Sequence, residues 1–140
     1  MKEEVRDYIR FRMTQSQETL QEAQILLSEG RPRGAVNRVY YACFYAVLAL
    51  LWTEGMSARK HRGVLSLFDR YWIKTRHLPA EMGSFFHEVF HMRHEGDYAV
   101  SEVTAEEARI HLERADDFLS KVSVRVEQAL GQGPSETESK

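Results

Sequence analysis

Hydrophobic residues recur along this chain with the period of a helix, and no segment shows the alternation typical of a strand. The N-terminal segment places apolar residues three or four positions apart, or at the sum of those steps: Val5, Ile9, Met13, Leu20, Ala23 and Leu27. This spacing predicts an amphipathic first helix. Gly30 followed by Arg31-Pro32 is typical of a helix end and the start of the next helix.

The next segment, from about Gly34 to Glu54, is apolar nearly all round. Such a helix belongs at the centre of a bundle. One side carries a small-residue stripe formed by Ala35, Ala42, Ala46 and Ala49. The other side carries large residues, among them Tyr40, Tyr41, Phe44, Leu48 and Leu51. We predict that these aromatic side chains form core or a dimer interface rather than a platform for stacking bases.

Turn and capping residues divide the rest of the chain. Gly55 is expected to end the second helix, and Ser57 could cap a third. Pro79 suits the first turn of a fourth helix, which Gly96 is expected to end.

A fifth helix is predicted after Thr104, because Thr104 with Glu107 three residues later forms a capping-box pattern. Five helices with short connections predict an all-α fold, an antiparallel up-and-down bundle. We assign residues 1–130 to this domain. Residues 131–140, which are polar and contain Gly and Pro, are expected to be a disordered tail.

Composition narrows the function classes. The chain has 140 residues, with 19 Lys and Arg against 21 Asp and Glu, so no overall positive charge attracts nucleic acid. The single cysteine, Cys43, cannot form an internal disulfide, which fits the cytoplasm. The charged N-terminus is not a signal peptide, and the apolar run over residues 39–52 is shorter than the roughly 20 residues of a membrane span. No membrane association is expected.

One short pattern suggests a metal. His87-Glu88-Val89-Phe90-His91 fits H-E-x-x-H, in which two histidines one turn apart bind zinc and the glutamate polarises a water. His94 extends the same stripe. Because the predicted buried face carries other residues, we expect His87, His91 and His94 to face solvent. They are weak candidates for a metal, and no metal, other cofactor or peptidase activity is predicted.

Three further motifs carry a family resemblance. They are N-R-x-Y-Y-A-x-F over residues 37–44, K-H-x-G-V over residues 60–64 and R-x-x-x-D-Y over residues 93–98. In this order, and over roughly residues 8–125, the chain resembles the prokaryotic HEPN domains. The resemblance implies a helical bundle that dimerises and is often encoded beside a minimal nucleotidyltransferase, in toxin–antitoxin or defence pairs.

Many HEPN proteins are metal-independent ribonucleases, whose motif is an arginine followed after four to six residues by a histidine. Arg93 matches that arginine, but Tyr98 stands where the histidine is expected. A tyrosine is a poor base at neutral pH. Ribonuclease activity would therefore require His94, His91 or Asp97 to substitute, so enzymatic activity is left open.

Arg93 and Asp97 are four positions apart, so they could form an ion pair at a helix end, line a polar cleft together with Tyr98, or do both. The resemblance makes Tyr98 a candidate for modification by the partner. Side chains expected to bind nucleotide or RNA there are Asn37, Arg38, Tyr41, His61, Arg62 and His94. Two groups of basic residues are expected to form separate patches within one subunit, because the second helix is about 30 Å long. One group lies at the start of that helix, Arg31, Arg33 and Arg38, and the other lies beyond its end, Arg59, Lys60, His61 and Arg62.

Three functions remain open: a homodimeric toxin–antitoxin or defence protein with a nucleotidyltransferase partner, a metal-independent ribonuclease using the same cleft, and a non-catalytic nucleotide- or protein-binding module.

Overall fold

The computed structural model describes residues 1–94 and 102–131, and these ranges contain helices and no strand. The helices are α1 (Glu3–Ser28), α2 (Pro32–Trp52), α3 (His61–Phe68), α4 (Ala80–His94) and α5 (Ala105–Gly131). A π-helical turn, Asp69–Ile73, continues α3. The predicted all-α bundle of five helices is confirmed. Gly131 is the last residue of α5, and the rest of the predicted tail lies outside the described residues.

Helix α2 is the centre of the bundle and packs against each of the other four helices. The alanine stripe predicted from the sequence is fully buried: Ala35, Ala42, Ala46 and Ala49. Cys43 is also fully buried, and this burial raises the pKa of its thiol. Small side chains let neighbouring helices approach closely, so α2 can contact several helices at once.

By length and composition alone, α2 is the one helix in the described part of the chain that could cross a membrane. It has 21 residues, which is longer than the apolar run read from the sequence. Of its most apolar stretch, 67% is buried inside the bundle. Central helices of water-facing bundles pass the same test, so it is weak support for a membrane span.

Two of the three predicted glycine helix ends are present, and the third, Gly96, lies outside the described residues. Gly30 and Gly55 adopt positive φ angles of 75° and 69°, which cost glycine little. The residue after each glycine donates its N–H to a carbonyl five positions earlier, at 2.8 Å for Arg31 and 3.0 Å for Met56. These bonds satisfy carbonyls that the helix end leaves without a partner.

The predicted start of the third helix is wrong. Helix α3 begins at His61 after Lys60, whose backbone is extended, and no side chain caps it. Ser57 lies earlier, in the non-helical connection that follows α2. That connection reverses the chain and delivers the first turn of α3 against α2, so the helix starts where packing begins. Pro79 immediately precedes α4 and accepts the N–H of Met82 at 3.0 Å.

The capping box at the start of α5 is confirmed. The Glu107 N–H donates to Thr104 Oγ1 at 3.0 Å, and the Thr104 N–H donates to Glu107 Oε1 at 3.2 Å. Each residue satisfies a backbone donor of the other. The Thr104 N–H and the Thr104 hydroxyl, which donates to the same Oε1 at 3.0 Å, hold the pKa of the Glu107 carboxyl below its usual value.

Candidate functional site

Tyr41, partly exposed on α2, lies beside two arginines from different helices. The Arg38 guanidinium carbon is 5.2 Å from the centre of the Tyr41 ring, and that of Arg93, on α4, is 5.7 Å away. Arg93 Nη2 also lies 3.5 Å from the Tyr41 hydroxyl oxygen, at the long limit of a hydrogen bond. The structure therefore brings together Arg38, Tyr41 and Arg93.

Arg38 is held in place by neighbours on two helices. Its Nη2 donates to Asn37 Oδ1 at 3.2 Å, and its Nη1 pairs with the Glu22 carboxylate of α1 at 3.4 Å. Asn37 thus orients an arginine of the site. The Arg38–Glu22 pair is open to solvent, so it contributes little to stability.

His61 joins the same group of side chains from the first turn of α3. Its Nδ1 is 2.8 Å from the Tyr40 hydroxyl oxygen. Its ring stacks on Phe44 at 4.1 Å between centroids and meets Tyr41 edge-on at 6.0 Å.

The predicted separation of the two basic patches is therefore wrong for Arg38 and His61. The length of α2 does not keep these residues apart, because the connection after α2 folds back and places the start of α3 beside the middle of that helix.

Tyr40 is fully buried beneath this group. Burial raises the pKa of its phenol, the neighbouring Tyr41 adds to the rise, and the positive charge of Arg93 opposes it. Tyr40 consequently keeps its proton at neutral pH. It presents a neutral hydroxyl to His61.

Arg62 follows His61 and completes what we call the basic cluster, defined as Arg38, His61, Arg62 and Arg93. The Arg62 guanidinium carbon lies 5.4 Å from the centre of the Phe90 ring on α4. Among the described residues, neither Arg62 nor Arg93 has a carboxylate within ion-pair distance. The cluster thus concentrates positive charge from three helices on a chain whose net charge is −2.

Two predicted site residues, Asp97 and Tyr98, lie outside the described residues, and so does the side chain of His94. Their positions relative to Arg93 stay predictions. Tyr40 was assigned to core or interface from the sequence, and its hydrogen bond to His61 was missed. The only sequence signal for that contact is the joint presence of the first two motifs.

The histidines of the H-E-x-x-H pattern make contacts of their own. The partly exposed His87 ring bonds the Asp69 carboxylate in the π-helical turn, and its centre is 5.9 Å from that of the His91 ring. Among the described residues, no group of three His, Cys, Asp or Glu side chains could hold a metal ion.

The glutamate of that pattern, Glu88, is directed towards α5 instead. His111 Nε2 lies 2.8 Å from Glu88 Oε2, and Arg114 Nη1 lies 3.2 Å from Glu88 Oε1. His111 Nδ1 is in turn 2.8 Å from the Glu107 carbonyl oxygen. Glu88 therefore links two helices, whereas a zinc peptidase needs this carboxylate beside the metal-bound water.

Comparison with known proteins agrees with this fold. A family model described as HEPN domain matches residues 9–126. A "UPF0332 protein" of Thermotoga maritima is 39% identical over 127 residues, covering 90% of this chain and 94% of the relative.

Two relatives from Methanocaldococcus jannaschii are more distant or match a shorter segment. "Putative toxin MJ0605" is 28% identical over 130 residues, covering 93% of this chain and 97% of the relative. "Putative toxin MJ0142" is 41% identical over 88 residues, covering 62% and 60%. The family match spans most of the chain, and the chain belongs to the HEPN domain family.

Proposed function

We propose that this protein is the HEPN component of a toxin–antitoxin or defence module in the cytoplasm. It would act as a homodimer with a minimal nucleotidyltransferase partner, through the basic cluster. Two of its relatives carry the word toxin in their names. The observation that carries the proposal is the convergence of four basic side chains from α2, α3 and α4 around Tyr40, Tyr41 and Phe90.

The cluster suits a phosphate-bearing ligand. Guanidinium groups bind phosphate oxygens through paired N–H donors, and they are less strongly hydrated than ammonium groups. Arg62 and Arg93 are exposed, and their described contacts are with aromatic rings and a phenol oxygen rather than with carboxylates. A nucleotide or an RNA strand would supply the missing negative charge.

An exposed apolar stripe beside the cluster supports the homodimer. Large, partly exposed side chains follow one another at helical spacing along α2: Tyr41, Tyr45, Leu48 and Trp52. Phe11, on the adjoining α1, is 59% exposed. Tyr41 belongs to the stripe and contacts three members of the cluster, Arg38, His61 and Arg93, so dimerisation would bring two clusters together.

The test is growth of cells after induced expression. We expect arrest by the wild-type protein, relief when a minimal nucleotidyltransferase from the same genome is co-expressed, and no arrest by Arg93→Ala. Arg70→Ala is the matched control, because Arg70 is also exposed and lies over a tyrosine ring, that of Tyr71, at 5.9 Å. If Arg93→Ala arrests growth as strongly as the wild type, the cluster is not the site of action.

The ribonuclease alternative is favoured by one contact pattern: His61 and Arg93 both contact Tyr41. An imidazole and a guanidinium beside each other suit cleavage of a phosphodiester. Cleavage of RNA by the purified protein in the presence of a chelator would support it. Binding of RNA without cleavage would instead favour a non-catalytic binding module.

A further inference from the structure

We infer that His61 is the proton-transferring residue of the candidate ribonuclease, and that Tyr40 is its positioning residue. The inference rests on the ribonuclease alternative proposed above. The family motif has its histidine four to six residues after the arginine. We assign the role of that histidine to His61, which lies on a different helix from Arg93.

The position of His61 is fixed from three sides. Tyr40 bonds its Nδ1 at 2.8 Å, Phe44 stacks on one ring face at 4.1 Å, and the Tyr41 ring meets it edge-on at 6.0 Å. An imidazole held in this way loses rotational freedom before substrate arrives. Preorganisation of this kind is a large part of the advantage of an active-site base over one in solution.

Arg93 contacts the same Tyr41 ring, with its guanidinium carbon 5.7 Å from the ring centre, and its charge also lowers the pKa of the Tyr40 phenol against the effect of burial. A phosphate contacting Arg93 would therefore be near the His61 ring. His87 and His91, by contrast, are on the α4 stripe, where His87 is engaged by Asp69. Among the described histidines, His61 is the one in contact with the tyrosine that Arg93 contacts.

The reaction would be transesterification. The ribose 2′-oxygen attacks the adjacent phosphorus and forms a new P–O bond, while the bond from phosphorus to the 5′-oxygen breaks. In the tautomer that carries its proton on Nδ1, His61 donates that N–H to the Tyr40 oxygen, and its Nε2 takes the 2′-hydroxyl proton. Arg93 offsets the charge on the phosphate oxygens. Water protonates the leaving 5′-oxygen, and the hydroxide produced takes the proton back from His61. The products are a 2′,3′-cyclic phosphate and a 5′-hydroxyl.

The experiment measures cleavage of a fluorescent single-stranded RNA by the full chain in the presence of a chelator. We expect His61→Asn to lower kcat by about 100-fold or more. Added imidazole should restore part of the activity of His61→Gly. His77→Asn is the control, because His77 is exposed in the loop after the π-helical turn and its ring bonds Thr75. Its kcat should equal that of the wild type.

Tyr40→Phe removes one hydroxyl and keeps the ring in the core. We expect kcat to fall by up to about 100-fold while KM and the melting temperature stay near the wild-type values. A purely structural role would change the melting temperature and spare kcat.

Wild-type cleavage with unchanged kcat in His61→Asn would overturn the role of His61 and leave the ribonuclease function standing. If the wild-type chain cleaves no RNA, the ribonuclease function and the role of His61 fall together.

Discussion

Arg93 and Tyr41 are 52 positions apart in the chain, yet the guanidinium Nη2 lies 3.5 Å from the phenol oxygen. The arginine is exposed, and its described contacts are all with Tyr41. Contacts of exposed residues contribute little to folding, so replacing Arg93 should change the free energy of unfolding by no more than about 0.5 kcal/mol. A small change would be consistent with the proposed role of Arg93 in ligand binding rather than in folding.

Binding of single-stranded RNA should become less dependent on salt when the cluster loses an arginine. Each phosphate contact adds about 0.7 to the slope of log K against log salt for single strands. We expect Arg38→Ala and Arg93→Ala each to lower the slope by roughly that amount. Fluorescence anisotropy of a labelled oligonucleotide over a salt series measures it, with Arg70→Ala as control. Identical slopes in all four proteins would contradict a phosphate site here.

Replacing Glu88 by alanine should affect stability and leave the metal content unchanged. Glu88 accepts from His111 and Arg114 on α5, and its loss leaves the buried His111 without that partner. Because the Glu88 side chain is 43% exposed, water can replace part of the bond, and we expect a loss of about 1 kcal/mol. Urea unfolding measures the loss, and elemental analysis should find no stoichiometric zinc in wild type or variant. Stoichiometric zinc that disappears in Glu88→Ala would restore the metal interpretation.

Thr104, which caps the start of α5, should contribute measurably to the free energy of unfolding. Its hydroxyl accepts the Glu107 N–H at 3.0 Å, and removing an N-cap hydroxyl typically costs about 1 kcal/mol. Thr104→Ala should therefore lower the midpoint of urea unfolding, and Thr104→Ser, which keeps the hydroxyl, should not. Equal losses in both variants would mean that the methyl group, not the cap, matters.

Acid should weaken the folded state through Glu107. The Thr104 N–H and hydroxyl hold the pKa of this carboxyl below its usual 4.5, so its contribution is present above that value and is lost as pH falls through the lowered pKa. The free energy of unfolding should therefore decrease below about pH 4.5. Glu107→Gln, which cannot titrate, should show a shallower decrease. Parallel curves for the two proteins would argue against this origin.

The proposed homodimer should depend on the exposed stripe along α1 and α2. Phe11→Glu places a charge at a 59% exposed position and so should leave the fold intact while separating the subunits. Light scattering after gel filtration gives the mass. Val124→Glu, at a 57% exposed position of α5, is the matched control and should remain dimeric. A wild-type monomer, or a dimer that survives Phe11→Glu, would exclude this face.

Local signals were readable from the sequence because both partners lie within a few residues. Gly30 and Gly55 end their helices, and Thr104 with Glu107 forms the expected box. The periodicity of the apolar residues identified the bundle for the same reason.

Long-range contacts were not readable in this way. The hydrogen bond between Tyr40 and His61 depends on how the connection after α2 returns the chain, and no spacing rule encodes that reversal. Ser57 had the right chemistry for a helix cap but lies before the point where packing starts. In the H-E-x-x-H pattern, the sequence shows which residues are neighbours on α4. It does not show that Glu88 forms a hydrogen bond with His111 of α5.

Cys43, at the centre of α2, is closed to oxidants in the folded protein. Thiols react with peroxides and disulfides as thiolates, and burial both excludes the reagent and disfavours the charged form. The chain has no second cysteine with which to form an internal disulfide. Redox signals in the cell therefore have no accessible thiol to act on in the native state of this protein.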